Sequence, residues 1–121
     1  MAAKEEKLGS TKTLRALNFW RGVTIQALTQ LPFDLSARQT AILLNTYLTP
    51  GPHSIKSLSD ELSISKPAVC RAVDTLEAAK LIRRARDRQD KRNVLLMQTV
   101  KGSLYLNEFA DIILSLSKEL P

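Results

Sequence analysis

Residues 65–102 read SKPAVCRAVDTLEAAKLIRRARDRQDKRNVLLMQTVKG, and the reading of this stretch decides the fold. Its first half has helical spacing, with Val69, Val73 and Leu76 on one face and Lys66, Ala68, Arg71, Asp74 and Thr75 on the other. Pro67 is tolerated in a first helical turn, where its missing N–H would have had no partner. The period then changes. Residues 81–86 and 94–99 are short segments of β-branched and long apolar residues, parted by the polar run 87–93, which describes a hairpin with a charged tip. The stretch also carries the charge: residues 65–101 hold ten bases against four acids, and the +6 that remains equals the net charge of the whole chain. A basic helix and hairpin make nucleic acid the first partner to consider.

Working outward, Ser54 stands where a cap belongs ahead of Ile55, Leu58 and Leu62, so a short helix precedes the tight connection at Ile64 and Ser65. Two short helices joined in this way form a helix-turn-helix. With the basic hairpin behind it, the pattern is a winged helix, whose second helix enters a major groove while the wing reaches toward the adjacent minor groove. Further upstream, Ser36 and Gln39 make a capping-box signature for a helix that carries Ala41, Ile42, Leu44 and Leu48 as far as Pro50, Gly51 and Pro52. Before it, Leu14, Leu17, Trp20, Ala27, Leu28 and Leu31 recur near helical spacing, with Phe19 and Val23 widening the band. Thr99 can cap a last helix in which Leu104, Tyr105, Phe109, Ile112, Ile113, Leu116 and Leu120 are more apolar than a domain this small can cover alone.

The expected fold is mainly α with a small β-hairpin: a flexible arm over residues 1–11, then one winged-helix domain over residues 12–121. Its helices fall at about 12–31, 36–49, 55–63, 66–79 and 100–119, and the wing at 81–99.

Several classes of function are excluded. No apolar run approaches the roughly 20 residues of a membrane span, and the opening MAAKEEKLGS lacks the apolar core of a signal peptide, so the expectation is a soluble, cytoplasmic protein. One cysteine, Cys70, cannot make an intrachain disulfide, and with one histidine, His53, it cannot make a Cys/His zinc site. No nucleophile elbow, phosphate-cradling glycine loop or histidine dyad is present, so neither catalysis nor a cofactor is expected. Cys70 reads as a space-filler, His53 as a solvated turn residue, and Trp20, Phe33 and Tyr47 as core packing. A different class competes: a winged-helix adaptor or an RNA binder using residues 83–92 as an arginine-rich patch.

The segments Leu35-Ser36-Ala37-Arg38-Gln39 with Ile42-Leu43, and Ser57-Leu58-Ser59-Asp60-Glu61-Leu62, resemble the second helix and the pre-turn helix of the MarR family of bacterial transcription regulators. More specific is Leu81-Ile82-Arg83-Arg84 followed by Asp87-Arg88-Gln89-Asp90-Lys91-Arg92, which resembles the family's Asp-x-Arg-Asp-x-Arg wing, and Thr99-Val100-Lys101-Gly102, which resembles its entry into the following helix. The resemblance implies a sequence-specific DNA-binding regulator, a homodimer on a pseudo-palindromic operator, commonly a repressor and often released by a small molecule or by oxidation.

Carried over by position, Ser65, Lys66, Pro67, Ala68, Arg71 and Thr75 belong to the recognition helix. Arg86, Arg88, Asp90, Lys91 and Arg92 belong to the wing, with Asp90 orienting an arginine. Ser54, Lys56 and Ser57 would meet phosphates. The resemblance is to a short variant: either the first and last helices alone form the dimer, through Leu14, Leu17, Phe109, Ile112, Ile113, Leu116 and Leu120, or this is a reduced variant with a different assembly. Lys80 departs from the pattern, standing where the family usually ends its recognition helix on a glycine with φ > 0.

Overall fold

Hydroxyl side chains open every described helix. In the computed structural model, which describes residues 7–118 and 120, α1 (Thr11–Gln30) starts on Ser10, α2 (Ala37–Leu48) on Ser36, α3 (Ile55–Leu62) on Ser54 and α4 (Lys66–Ala78) on Ser65. The last helix, α5 (Val100–Ser117), starts on Thr99, whose Oγ1 accepts the Gly102 N–H at 2.9 Å. Each oxygen satisfies an amide that has no partner inside its helix. At α2 the arrangement is reciprocal, since Ser36 Oγ accepts from Gln39 N–H at 3.1 Å and Gln39 Oε1 accepts from Ser36 N–H at 2.9 Å. Of the arm expected over residues 1–11, residues 1–6 lie outside the described residues, as do Glu119 and Pro121.

The chain divides into two compact units. The larger, Phe33–Leu106, contains α2, β1 (His53–Ser54), α3, α4, β2 (Ile82–Arg86), β3 (Val94–Gln98) and the start of α5. Its core takes Ile42 and Leu43 from α2, Leu58 from α3, Val69, Val73 and Leu76 from α4, and Leu81, Ile82 and Leu96 from the sheet, all buried. Ser63, at φ 54°, ends α3, and Ser65 caps α4 two residues later, so α3 and α4 form the helix-turn-helix. Strands β2 and β3 pair antiparallel from Ile82 opposite Gln98 to Arg86 opposite Val94. The winged-helix class is therefore as the sequence reads.

The sheet has one strand more than expected. Its order is β1-β3-β2, with His53 opposite Leu96 and Ser54 opposite Leu95. Two residues are too few to show the period-2 alternation by which a strand is recognised. The same pairing corrects the reading of His53, which is 4% exposed rather than solvated; its Nε2 lies 3.0 Å from the Thr49 carbonyl.

Where α4 ends, the chain makes a Schellman turn without the glycine that usually serves it. The Leu81 N–H donates to the Leu76 carbonyl and the Lys80 N–H to the Glu77 carbonyl, each at 2.9 Å, with Lys80 at φ 63°. Leu76 and Leu81, both buried, supply the apolar contact that accompanies this turn. The Lys80 carbonyl accepts from Thr99 Oγ1 at 2.8 Å, and the Tyr47 hydroxyl donates to the Leu81 carbonyl at 2.6 Å while accepting the Thr99 N–H at 2.9 Å. Gly102 lies against this cluster. A Cβ there would fall far inside contact distance of the Tyr47 hydroxyl and the Leu81 carbonyl, which is the physical content of the Thr99-to-Gly102 motif.

The other unit holds α1 and α5 from Asn107 onward. Within it a Cβ at Gly22 would lie 3.2 Å from Leu116 Cδ1, so these helices pass close together. Val23 and Ile112 are buried, whereas Leu14, Leu17, Ile25, Leu28 and Leu114 are exposed. Trp20 is 55% exposed, which corrects its reading as a core residue.

Candidate nucleic-acid interface

Four side chains on one face of α4 stand free of the core: Lys66, Pro67, Arg71 and Thr75 are all exposed. Ser65 precedes them as the cap, its Oγ accepting the Ala68 N–H at 3.3 Å. Ala68 does not belong to this face. It is 6% exposed and, with Ala72, forms the floor of a groove against the first turn of α2, because α4 packs on both α2 and α3 and so buries more than one stripe. Cys70 is half-buried.

Asp74, read from spacing as part of the same face, is engaged elsewhere. Arg84 of β2 reaches across to α4, with Nη2 2.6 Å from Asp74 Oδ1 and Nη1 2.5 Å from Glu77 Oε1, while its backbone N–H donates to Glu77 Oε2 at 2.9 Å. Hydrogen bonds from the Arg84 backbone and guanidinium hold the Glu77 carboxyl below its usual range, and the paired carboxylates push the Arg84 guanidinium up despite partial burial. This clamp fixes the root of the wing to the C-terminal half of α4. It also sets one positive charge against the two acids on α4, so the trio carries a net charge of −1 rather than the −2 of the acids alone.

The wing tip, residues 87–93, is built by its acids and presents its bases. The Asp87 N–H donates to the Asn93 carbonyl at 3.1 Å and Asp87 Oδ1 accepts the Gln89 N–H at 2.9 Å. Asp90 Oδ1 accepts the Arg92 N–H at 3.1 Å and Arg92 Nε–H at 3.2 Å, and Arg86 Nη1 donates to the Lys91 carbonyl at 2.9 Å. Arg86, Arg88, Lys91 and Arg92 are exposed, with Arg92 oriented by Asp90.

At the start of α3 the hydroxyls are committed to the backbone. Ser57 Oγ accepts the Ser54 N–H at 2.8 Å and donates to the Ser54 carbonyl at 3.1 Å, while Ser54 Oγ accepts the Ser57 N–H at 3.0 Å. Lys56 is exposed beside them. Sequence reasoning left one neighbour out: Arg38, exposed in the first turn of α2, lines the same groove as Arg71 and Thr75. Its signal was present in the capping box that places residue 38 one position into that helix.

Comparison with known proteins bears on the fold that carries these side chains. A model of the MarR family matches residues 33–93. The transcriptional regulator BldR from Sulfolobus solfataricus is 30% identical with a TM-score of 0.63, the match covering 86% of this chain and 75% of that one. The transcriptional regulator Tm0710 from Thermotoga maritima is 26% identical with a TM-score of 0.71, covering 88% and 73%. A point mutant of MepR from S. aureus, bound to an oligodeoxyribonucleotide, shares the fold at 20% identity and a TM-score of 0.76, covering 87% and 75%.

Proposed function

The chain belongs to the MarR family of DNA-binding transcriptional regulators, which are not enzymes, and from that premise we propose that it is a homodimeric repressor of a pseudo-palindromic operator. In this reading α4 enters the major groove with Lys66, Pro67, Arg71 and Thr75 toward the bases, and the wing lays Arg86, Arg88, Lys91 and Arg92 along the backbone or minor groove. Lys56, exposed beside the capping serines Ser54 and Ser57 whose hydroxyls are held by the backbone, meets a phosphate at the start of α3. The observation that carries the proposal is the division of labour among the arginines: Arg84 is consumed by Asp74 and Glu77, whereas Arg71 on α4 and Arg88 on the wing have no partner for their guanidiniums among the described residues. A solvated basic face would need no such clamp between helix and wing.

A second copy of the chain is the partner that α1 and α5 call for, since both helices leave large apolar side chains in solvent. A small-molecule effector has a candidate place in a hollow of about 470 Å³ where Gln26 and Gln30 of α1 face Glu108 and Asp111 of α5.

Gel shifts on the DNA upstream of the chain's own gene test the division of labour. Arg71→Ala should alter base preference at one position and cost about 1–3 kcal/mol there. Arg88→Ala should weaken every duplex alike and flatten the salt dependence of binding. Uniform loss from Arg71→Ala would make Arg71 a phosphate contact, and equal affinity for all duplexes in the wild type would defeat operator reading.

A further inference from the structure

We propose that Arg84 is a positioning residue for base reading: by holding Asp74 it keeps that carboxylate from pairing with Arg71, and so leaves the Arg71 guanidinium free to meet a base. The inference rests on the reading of α4 as the recognition helix, and it gives Arg84, which touches no DNA in that reading, a part in specificity.

Arg71 and Asp74 stand three residues apart on α4, both exposed. Side chains at that spacing are neighbours on a helix surface, close enough for a guanidinium and a carboxylate to pair. They do not pair here. Among the described residues the Arg71 guanidinium has no hydrogen bond and no ion pair, whereas Asp74 Oδ1 lies 2.6 Å from Arg84 Nη2. Arg84 wins this competition because it is held in place from its other side. Glu77 takes Arg84 Nη1 through Oε1 and the Arg84 backbone N–H through Oε2, which fixes the guanidinium against α4 with its remaining nitrogen turned to Asp74. Arg84 is also half-buried, and its charge is screened less by salt than that of the exposed Arg71. Without Arg84, Asp74 keeps its charge, and Arg71 is a cation within reach. A molecule that made this pair would have to break it before Arg71 could donate two parallel N–H bonds to a base edge. A duplex with the wrong base at that position makes no such contact, so only cognate binding suffers. Loss of Arg84 therefore lowers discrimination, whereas loss of a positive charge alone weakens all duplexes alike.

Selection from random-sequence duplexes, run on the wild type and on Arg71→Ala, identifies the base pair that Arg71 reads. The ratio of affinities for the preferred and a wrong base pair there is then measured for the variants at one salt concentration. Arg84→Met should lower this ratio about two- to fivefold, the scale of one exposed ion pair. The double variant Arg84→Met with Asp74→Asn should restore it. Both proteins lack the clamp, so a difference between them reports Asp74 and not lost anchoring of the wing. Glu77→Gln, which leaves the bond between Arg84 and Asp74 in place, should keep the wild-type ratio. Circular dichroism checks folding, and if Arg84→Met does not fold, Arg84→Lys, which keeps the charge without the fork that serves both acids, takes its place in the same comparisons. No recovery in the double variant, or a fall in Glu77→Gln equal to that in Arg84→Met, would overturn the inference and leave α4 as the recognition helix. A wild-type ratio at every position in Arg71→Ala would overturn both the base-reading role of Arg71 and the inference built on it.

Discussion

Lys80 sits at φ 63°, a region an L-residue enters at a cost of about 1 kcal/mol, and it does so because the Schellman turn around it is otherwise complete. Lys80→Gly should therefore raise stability by about 0.5–1 kcal/mol in urea unfolding, the relief of strain being partly offset by the freer unfolded chain. Gly102 poses the opposite constraint. Any side chain there meets the Tyr47 hydroxyl and the Leu81 carbonyl, so Gly102→Ala should destabilise by about 2 kcal/mol or more through displaced packing and broken hydrogen bonds. Both positions were legible in the sequence, one as a departure from a pattern and one as a match to it. Ala68 and His53 were not. Helical spacing sorts residues into two faces, whereas α4 packs on two neighbours at once, and His53 is drawn inward by a strand pairing with Leu96, far along the chain.

At the scale of elements, the connection that matters is the Arg84 clamp between β2 and α4. Glu77 has its pKa lowered from the usual 4.5, chiefly by the Arg84 backbone N–H and then by the guanidinium. A carboxylate with a depressed folded pKa contributes stability above its unfolded pKa and loses that contribution as pH falls through the folded value. Glu77→Gln should accordingly be less stable than the wild type at neutral pH, with the difference shrinking once the pH drops below about 4. Urea melts at pH 7 and at about pH 3 measure this, and a difference independent of pH would assign the effect to shape rather than charge. From the sequence, Arg83-Arg84-Ala85-Arg86 looks like one basic run. Antiparallel pairing turns Arg84 to the side of the sheet that faces Asp74 and Glu77, ten and seven residues earlier on another element, and only tertiary structure brings those groups together.

Over the whole molecule, net positive charge is concentrated in residues 65–101, while unpartnered apolar surface lies on α1 and α5. Composition located the first. The second was legible only in part: Leu14, Leu17 and Leu120 are exposed, Phe109, Ile113 and Leu116 half-buried and Ile112 buried, while Trp20, Leu28 and Leu114 join the exposed set. A spacing argument finds apolar stripes but does not say which stripe the chain covers for itself. If a second copy covers the rest, Leu17→Glu combined with Leu28→Glu should convert a species of twice the chain mass into one of single mass by light scattering, with the helical circular dichroism of the larger unit retained. The claim joining these scales is that two copies of α4 and two wings read one DNA site. A footprint of the protein on its own upstream region tests it most directly. Two protected half-sites are expected, their centres one helical turn apart, about 10–10.5 base pairs, or a multiple of it; a single protected half-site, or no protection above that of unrelated duplex, would contradict this claim.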